Sequence, residues 1–172
     1  QLNYSSAAIG TFGHLGTELF KMQTGADFTH IPHKGIVAAA QGLVAGDVQV
    51  LIAAADLILP QVRAGKVKVL ATAGTRRAPI MPDVPSTLDL GYKDYDTQIW
   101  YGLLVPAGTP RDIVARLNTE MTRTLNEPPI REDLLRRSIE PTTGTPEEFG
   151  ELMRKEMTTW QHVIKVGNIK PE

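Results

Sequence analysis

Apolar residues in the first 90 positions recur in turn at strand-like and helix-like spacings. Short runs rich in aromatic and β-branched residues predict strands at 2–4, 27–31, 48–52 and 66–72. Apolar residues at helical spacing predict helices after Thr11, at 36–45 and at 57–63, and Gly25 and Gly46 end the first two. This alternation, with short connections, predicts an α/β fold built on a doubly wound parallel sheet.

The pattern changes after residue 94. Residues 94–105 form a long extended stretch, sufficient to leave one domain and enter another. Amphipathic helices are predicted at 111–125, at 128–137 and from 145 to about 166. Three amphipathic helices need an apolar partner, and this part of the chain contains little strand to supply one. We therefore expect an α/β domain at 1–97, followed at 98–172 by a crossing strand and helices that cover a sheet mostly absent from this sequence.

Small residues follow the first strand, and Gly10 and Thr11 precede the first helix. A strand, a small-residue turn and a helix start leave backbone N–H groups free at the positive end of the helix dipole. This arrangement suits a carboxylate or a phosphate, although an ordinary βα turn has the same local pattern. Lys34, in the turn after the second strand, either adds positive charge to such a site or is an ordinary solvated lysine.

Composition narrows the classes of function. The 172 residues carry a net charge of −1 without a basic cluster, which argues against a nucleic-acid partner. The absence of cysteine excludes disulfides and cysteine-based metal or nucleophile sites. Neither a Walker A loop nor a GxGxxG motif occurs, and we predict no cofactor. Because the chain begins at Gln1 on a strand-like run, we expect a processed or partial chain.

Two other chemistries are compatible with the early histidines. Ser6 with His14 or His33 would suit a hydrolase of the α/β class, but the GxSxG elbow and an evident acid are missing. His14, His30 and His33 could instead converge at one sheet edge as metal ligands, with Asp27 and Asp56 as acidic candidates. Without such convergence, they are a partly exposed strand-end histidine and a turn histidine.

Several stretches, in order along essentially the whole chain, together resemble one family. They are Tyr4-Ser-Ser-Ala-Ala-Ile-Gly-Thr11 with His14, His30-Ile-Pro-His-Lys-Gly35, Leu43-Val-Ala-Gly-Asp-Val48, Ile58-Leu-Pro-Gln-Val-Arg-Ala-Gly-Lys66, Pro82-Asp-Val-Pro-Ser86, Trp100-Tyr-Gly-Leu-Leu-Val-Pro-Ala-Gly-Thr-Pro110 and Thr145-Pro-Glu-Glu-Phe149. The set resembles the tripartite tricarboxylate transporter receptor family, also called Bug proteins, which are extracytoplasmic solute-binding proteins.

The resemblance implies a two-domain, Venus-flytrap fold of the periplasmic-binding-protein type II class and a periplasmic location. Residues 1–97 would be the second, ligand-binding domain, and residues 98–172 the hinge strand and the helices that return to a first domain whose N-terminal part is absent. It implies a receptor, not an enzyme, that binds a dicarboxylate, tricarboxylate, acidic amino acid or aromatic acid and works with membrane transporter components. A ligand-free fragment that dimerises is a further alternative.

The resemblance also implies the site residues. The family's first turn falls on Ser5, Ser6, Ala8, Ile9, Gly10, Thr11 and His14, and its second turn on His33, Lys34 and Gly35. Ala8 stands where the family usually has glycine, and we expect backbone strain there if the position needs a positive φ. His33 replaces the family's usual tyrosine, which puts a titratable imidazole in place of a hydroxyl.

Overall fold

The computed structural model describes residues 2–137 and 139–170. The chain divides into two compact units. One contains the described residues up to Ile99 and those from Trp160 onward, and the other contains Trp100–Thr159.

The first unit contains, among its described residues, a three-stranded parallel sheet. Its strands are β1 (Leu2–Ser6), β2 (Phe28–Pro32) and β3 (Val50–Leu51), in the order β2-β1-β3. Tyr4 of β1 pairs with His30 of β2 on one side and with Val50 of β3 on the other. Because the strands are parallel, the turns that follow Ser6 and Pro32 lie at the same edge of the sheet.

Helices α1 (Phe12–Thr24) and α2 (Ile36–Ala45) cover opposite faces of this sheet. The Tyr4 hydroxyl donates to Glu18 of α1, whereas the Ser5 hydroxyl donates to the carbonyl of Ala39 in α2. Successive side chains of a strand point to opposite faces, so these two bonds place the two helices on different sides. The predicted doubly wound α/β fold is confirmed. A third helix, α3 (Ala55–Arg63), follows β3.

Helix α1 begins and ends as predicted. Thr11 is its N-cap, and Gly25 at its C-terminus has φ +72° and donates its N–H to the Lys21 carbonyl. That left-handed conformation favours glycine. The predicted stop signals thus determine the bounds of the helix that follows the candidate site.

The predicted strand at 66–72 is wrong. In the described structure this segment makes only an isolated parallel bridge, between Thr72 and Ser86. Lysine and valine alternate from Lys66 to Val69. Val67 and Val69 are half-buried and Lys68 is exposed, so this alternation correctly marks an inner and an outer face. A strand also needs a neighbour with free backbone groups, and β3 offers only two residues. Residues 95–106 likewise carry no helical or strand hydrogen bonds.

An aromatic cluster fixes the segment around Tyr95 to helix α1. Tyr95 is buried, and its hydroxyl donates to the Gly16 carbonyl at 3.0 Å. The Phe20 ring lies edge-on to Tyr95, with 5.6 Å between ring centroids, and also contacts Phe28 and Tyr92. These contacts pack Gly16 and Phe20 of α1 against the segment around Tyr95 and help to set the position of the helix.

The second unit consists of helices α4 (Arg111–Asn126) and α5 (Pro128–Arg136) and most of α6 (Pro146–Val166). Apolar side chains of α4 remain well exposed at Ile113, Leu117 and Met121. In that unit the Phe149 ring packs edge-on against Trp100, at 5.1 Å between centroids. Among the described residues, no helix has the length and apolar character that crossing a bilayer requires.

Removing the N-cap of α6 is expected to destabilise the second unit by about 1 kcal/mol. The Thr145 hydroxyl accepts from the Glu148 N–H, and the Glu148 carboxylate accepts from the Thr145 N–H, which is a complete capping box. Thr145→Ala removes one of these bonds, and urea denaturation followed by circular dichroism measures the loss. Thr159→Ala, on an exposed turn of the same helix, is the control and should have little effect. Equal effects would contradict a specific capping role.

Candidate functional site

The turn between β1 and α1 has a defined backbone. Gly10 has φ +76°, and the Thr11 N–H and hydroxyl both donate to the Ala8 carbonyl, at 3.3 and 2.7 Å. Among the described residues, Asn168 is the one non-glycine residue with a positive φ. Ala8 therefore has an ordinary φ, and the strain expected for a positive φ at this position is not present.

The first turn of α1 has unpaired donors. The first hydrogen bond of the helix runs from the Leu15 N–H to the Thr11 carbonyl at 2.9 Å. The Thr11 hydroxyl does not cap the helix, because it donates back to Ala8. The N–H groups of Phe12, Gly13 and His14 consequently have no partner in the helix. They lie at the positive end of the helix dipole, where an anion is favoured.

The turn after β2 is hydrogen-bonded to the turn after β1. The His33 N–H donates to the Ser6 carbonyl at 3.0 Å, and the Gly35 N–H donates to the Ala7 carbonyl at 2.8 Å. Gly35 has φ +97°, a conformation that glycine adopts without strain. Residues 6–11, residues 33–35 and the first turn of α1 thus form one surface, called the cradle below. The exposed Lys34 lies on it.

Two of the expected site residues have their side chains engaged elsewhere. Ser5 is fully buried, and its hydroxyl donates to the Ala39 carbonyl at 3.2 Å. The His33 ring has Nδ1 3.0 Å from the Ile31 carbonyl oxygen and lies beside Gly42 of α2. A Cβ on Gly42 would lie 2.9 Å from His33 Nε2. His33 therefore contributes to the cradle through its backbone.

A cluster of stacked rings lies beneath the cradle, on the α1 face of the sheet. The His14 and His30 rings are nearly parallel, with 4.0 Å between centroids, and Tyr4 stacks on His30 at 4.7 Å. The Ser6 hydroxyl is 2.7 Å from His30 Nε2 and 2.9 Å from the Ala8 carbonyl oxygen. The contact of His30 with Ser6 was not among the expected ones. Strand register explains this contact. Tyr4 and Ser6 lie on the same face of β1, and Tyr4 pairs with His30.

Burial keeps the two histidines of this cluster neutral. Burial, and to a smaller extent the neighbouring His14, lower the pKa of His30 to about 4. Burial also lowers the pKa of His14, which outweighs the opposing effect of Glu18. Burial would raise the pKa of Glu18, but its hydrogen bonds from Lys21 and Tyr4 prevail and hold that pKa below its usual value. At neutral pH the imidazoles of His14 and His30 are therefore uncharged, and the nearby Glu18 carboxylate is ionised.

The three early histidines do not converge on a metal. Within residues 2–137 and 139–170, no group of three or more histidine, cysteine, aspartate or glutamate side chains could hold one. His14 and His30 stack face to face, and His33 turns toward α2. Ser6 pairs with His30, not with His14 or His33, and is fully buried. Its hydroxyl is therefore placed to support the turn and not to meet a substrate.

An α/β domain with uncapped helix N–H groups at the carboxyl ends of its strands has an architecture that is common in ligand-binding domains. Residues 1–169 match the family model described as tripartite tricarboxylate transporter family receptor. The chain belongs to this family, and the resemblance seen in the sequence is confirmed.

Similar proteins extend this result. A UPF0065 protein encoded in the tcbD-tcbE intergenic region of Pseudomonas sp. is 31% identical over 165 residues, which are 95% of this chain and 49% of that protein. The structure of R. palustris Rpa4515 with adipate has a TM-score of 0.85 and 32% identity, covering 100% of this chain and 57% of that one. MatC (Rpa3494) from Rhodopseudomonas palustris with bound malate has a TM-score of 0.76 and 30% identity, covering 95% and 56%. The chain thus spans about half the length of these relatives.

Proposed function

We propose that this chain is the ligand-capturing part of a solute-binding receptor in a tripartite tricarboxylate-type transport system. The observation that carries the proposal is the cradle, in which uncapped N–H groups of α1 lie beside a second turn that bears Lys34. Family membership supports it. Adipate and malate, bound by two similar proteins, are both dicarboxylates, and a small dicarboxylate is the ligand class that we propose here.

Capture by this cradle makes and breaks no covalent bond. One carboxylate of the ligand accepts hydrogen bonds from the first-turn N–H groups of α1, where the helix dipole favours negative charge. The Thr11 hydroxyl can rotate from the Ala8 carbonyl to the ligand, and the Lys34 ammonium adds positive charge to the rim. Each such bond to a charged group contributes about 1.5–3 kcal/mol, net of the bonds to water that it replaces.

In the complete receptor, residues 1–97 are the second domain, and residues 98–172 supply an extended hinge segment and the C-terminal helices that return to the first domain. The ligand is held between the two domains, which close on it by a hinge. This receptor is periplasmic and presents its ligand to the membrane components of the transport system.

Thr11→Val is expected to weaken binding of adipate about tenfold, because it removes a hydroxyl donor and keeps the shape of the side chain. The fold should change little, since the exposed Thr11 hydroxyl bonds only within its own turn. Ser6→Ala should weaken binding too, by loosening the Ala8 carbonyl. Isothermal titration calorimetry on the full-length protein measures both effects.

Thr29→Val is the matched control, because Thr29 is exposed on β2 away from the cradle. It should leave the affinity for adipate unchanged. Unchanged affinity for adipate in both Thr11→Val and Ser6→Ala would contradict the assignment of the cradle as the ligand site. An equal loss in Thr29→Val would show that the effect is not local.

A further inference from the structure

One hydrogen bond joins Gly10, in the middle of the cradle, to a side chain of helix α1. The Gly10 N–H donates to His14 Nδ1 at 2.9 Å. An imidazole nitrogen accepts a hydrogen bond only when it carries no proton. The observed bond therefore requires a neutral His14 with its proton on Nε2. Protonation of His14 would place two N–H groups against each other at this point of the turn.

A second chain of bonds runs from His30 to the same turn. The Ala8 carbonyl can only accept, so the single hydroxyl hydrogen of Ser6 is donated to it. The lone pair of the Ser6 oxygen then accepts from Nε2–H of His30, at 2.7 Å. Two stacked histidines, 4.0 Å apart, thus hold both Ala8 and Gly10 in position. Two imidazolium rings at this distance would repel each other.

The charged and titratable groups around this pair come from every element that packs on it. Glu18 and Lys21 face it from α1, Tyr4 from β1, and His33 from the end of β2. The Glu18 carboxylate already accepts from Lys21 at 2.8 Å and from the Tyr4 hydroxyl at 2.6 Å. Because the Glu18 carboxylate already accepts these two hydrogen bonds, it is less able to stabilise an imidazolium.

We propose that His14 and His30 form a proton-sensitive latch, meaning that the neutral pair holds residues 8–10 in the anion-binding shape and that protonation of His14 releases Gly10. His14 is in this view a positioning residue beneath the cradle. The latch itself is a property of the folded chain. Its effect on ligand affinity rests on the proposed function.

The structural half of the proposal is tested without ligand, by 1H–15N NMR of the full chain between pH 7.5 and 4.5. The Gly10 amide signal is expected to titrate with the same midpoint as the His14 ring signals, and that midpoint should lie below the usual histidine value. The Gly10 amide should exchange faster with solvent as His14 becomes charged. A Gly10 amide that stays constant while His14 titrates would overturn the latch.

His14→Gln sharpens this test, because the glutamine oxygen can accept from the Gly10 N–H but never carries a charge. In this variant the Gly10 amide should no longer titrate. His162→Gln is the control, because His162 is exposed on α6, and it should leave the Gly10 titration unchanged. A variant that fails to fold leaves the wild-type measurement to decide.

The functional half is tested with adipate as the probe, by calorimetry at pH 7.5 and pH 5.5 on the full-length protein. Adipate itself takes up protons in this range, so wild type and His14→Gln are compared at each pH. The wild type should lose at least about threefold more affinity than the variant. An equal loss, or a gain from attraction between imidazolium and carboxylate, would overturn the link between latch and affinity. Absence of adipate binding at both pH values would count against the proposed ligand, while the Gly10 titration would still decide the latch.

Discussion

Gly13→Ala is expected to lower the free energy of unfolding by about 1–3 kcal/mol, as overpacking in a well-packed interior does. A Cβ at this position would lie 2.7 Å from the Ile52 carbonyl oxygen. The position of this Cβ is set by the backbone in the first turn of α1, and the Ile52 carbonyl belongs to the backbone directly after β3. Neither can turn aside as a side chain does, so the helix or the strand end must shift.

Gly16→Ala is the matched control for this prediction. It lies one turn further along α1, and its nearest neighbour would be the Tyr95 hydroxyl at 3.5 Å, an ordinary contact. An alanine inside a helix is more favourable than glycine by about 0.5–1 kcal/mol. Urea denaturation should therefore give changes of opposite sign for the two variants. If Gly13→Ala were as stable as Gly16→Ala, the close approach of α1 to Ile52 would not constrain the protein.

The same contact bears on ligand binding. Gly13 is one of the residues whose N–H is free at the start of α1. A shift of the helix away from Ile52 would move these donors relative to the turn at 33–35. We expect Gly13→Ala to weaken adipate binding in the full-length protein and Gly16→Ala to leave it unchanged.

Acidification from about pH 6.5 to pH 4 is expected to lower the free energy of unfolding by about 1–2 kcal/mol, after allowance for partial solvent screening of the His30 ring. The pKa of His30 falls from its usual 6.5 to about 4 on folding. In this window the unfolded chain binds more protons than the folded one, so stability is complete above pH 6.5 and declines as the pH falls. The lowered pKa of His14 acts in the same direction.

The contribution of the histidines to stability can be distinguished from that of the acidic groups by the pH range in which each is lost. Hydrogen bonds from Ser86 and Arg77 lower the pKa of Asp89, and those from Arg137 and Arg136 lower the pKa of Asp133. A carboxyl group with a lowered pKa loses its stabilising effect only as the pH falls below its usual value, near 4. The decline between about pH 6.5 and pH 5 therefore belongs to His14 and His30, because Glu18, whose pKa is also lowered, likewise acts only at lower pH.

Thermal unfolding of the wild type and of His30→Asn at a series of pH values measures this decline. The variant should show a flatter dependence between pH 6.5 and 4, and His162→Gln, altered at an exposed position, should retain the full slope. A wild type whose stability did not change across this range would show that the pKa of His30 in the folded protein is close to its usual value.

Local patterns in the sequence predicted a large part of the fold correctly. Thr11 and Gly25 bound α1 as predicted, because Thr11 has extended and Gly25 left-handed backbone, although the Thr11 hydroxyl itself donates to Ala8 and does not cap the helix. The series of weak motifs indicated the family, which is confirmed. The prediction of a strand at 66–72 was wrong, because alternation reports only which side chains are half-buried. It does not report whether a neighbouring strand is long enough to pair.

The candidate site shows the same division. The small residues after β1 and the helix start at Thr11 could be identified from the sequence, and backbone hydrogen bonds join them to the turn that contains Gly35. Strand alternation predicts that Ser5 and Ser6 point to opposite faces of β1, but the residues that each side chain contacts could not be predicted in this way. Ser5 and Ser6 are adjacent and chemically identical, yet one donates to α2 and the other belongs to the histidine pair on the α1 face.

The sequence by itself determined the order of the elements, the small-residue turn and its position before a helix. These features depend on neighbours within about four residues, through backbone preferences and helix caps. Only the tertiary structure decided that His30 lies against Tyr4 and Ser6, that His14 accepts from Gly10 and that His33 turns toward Gly42. The physical reason is that strand register and helix packing set these contacts, and both depend on residues far apart in the chain.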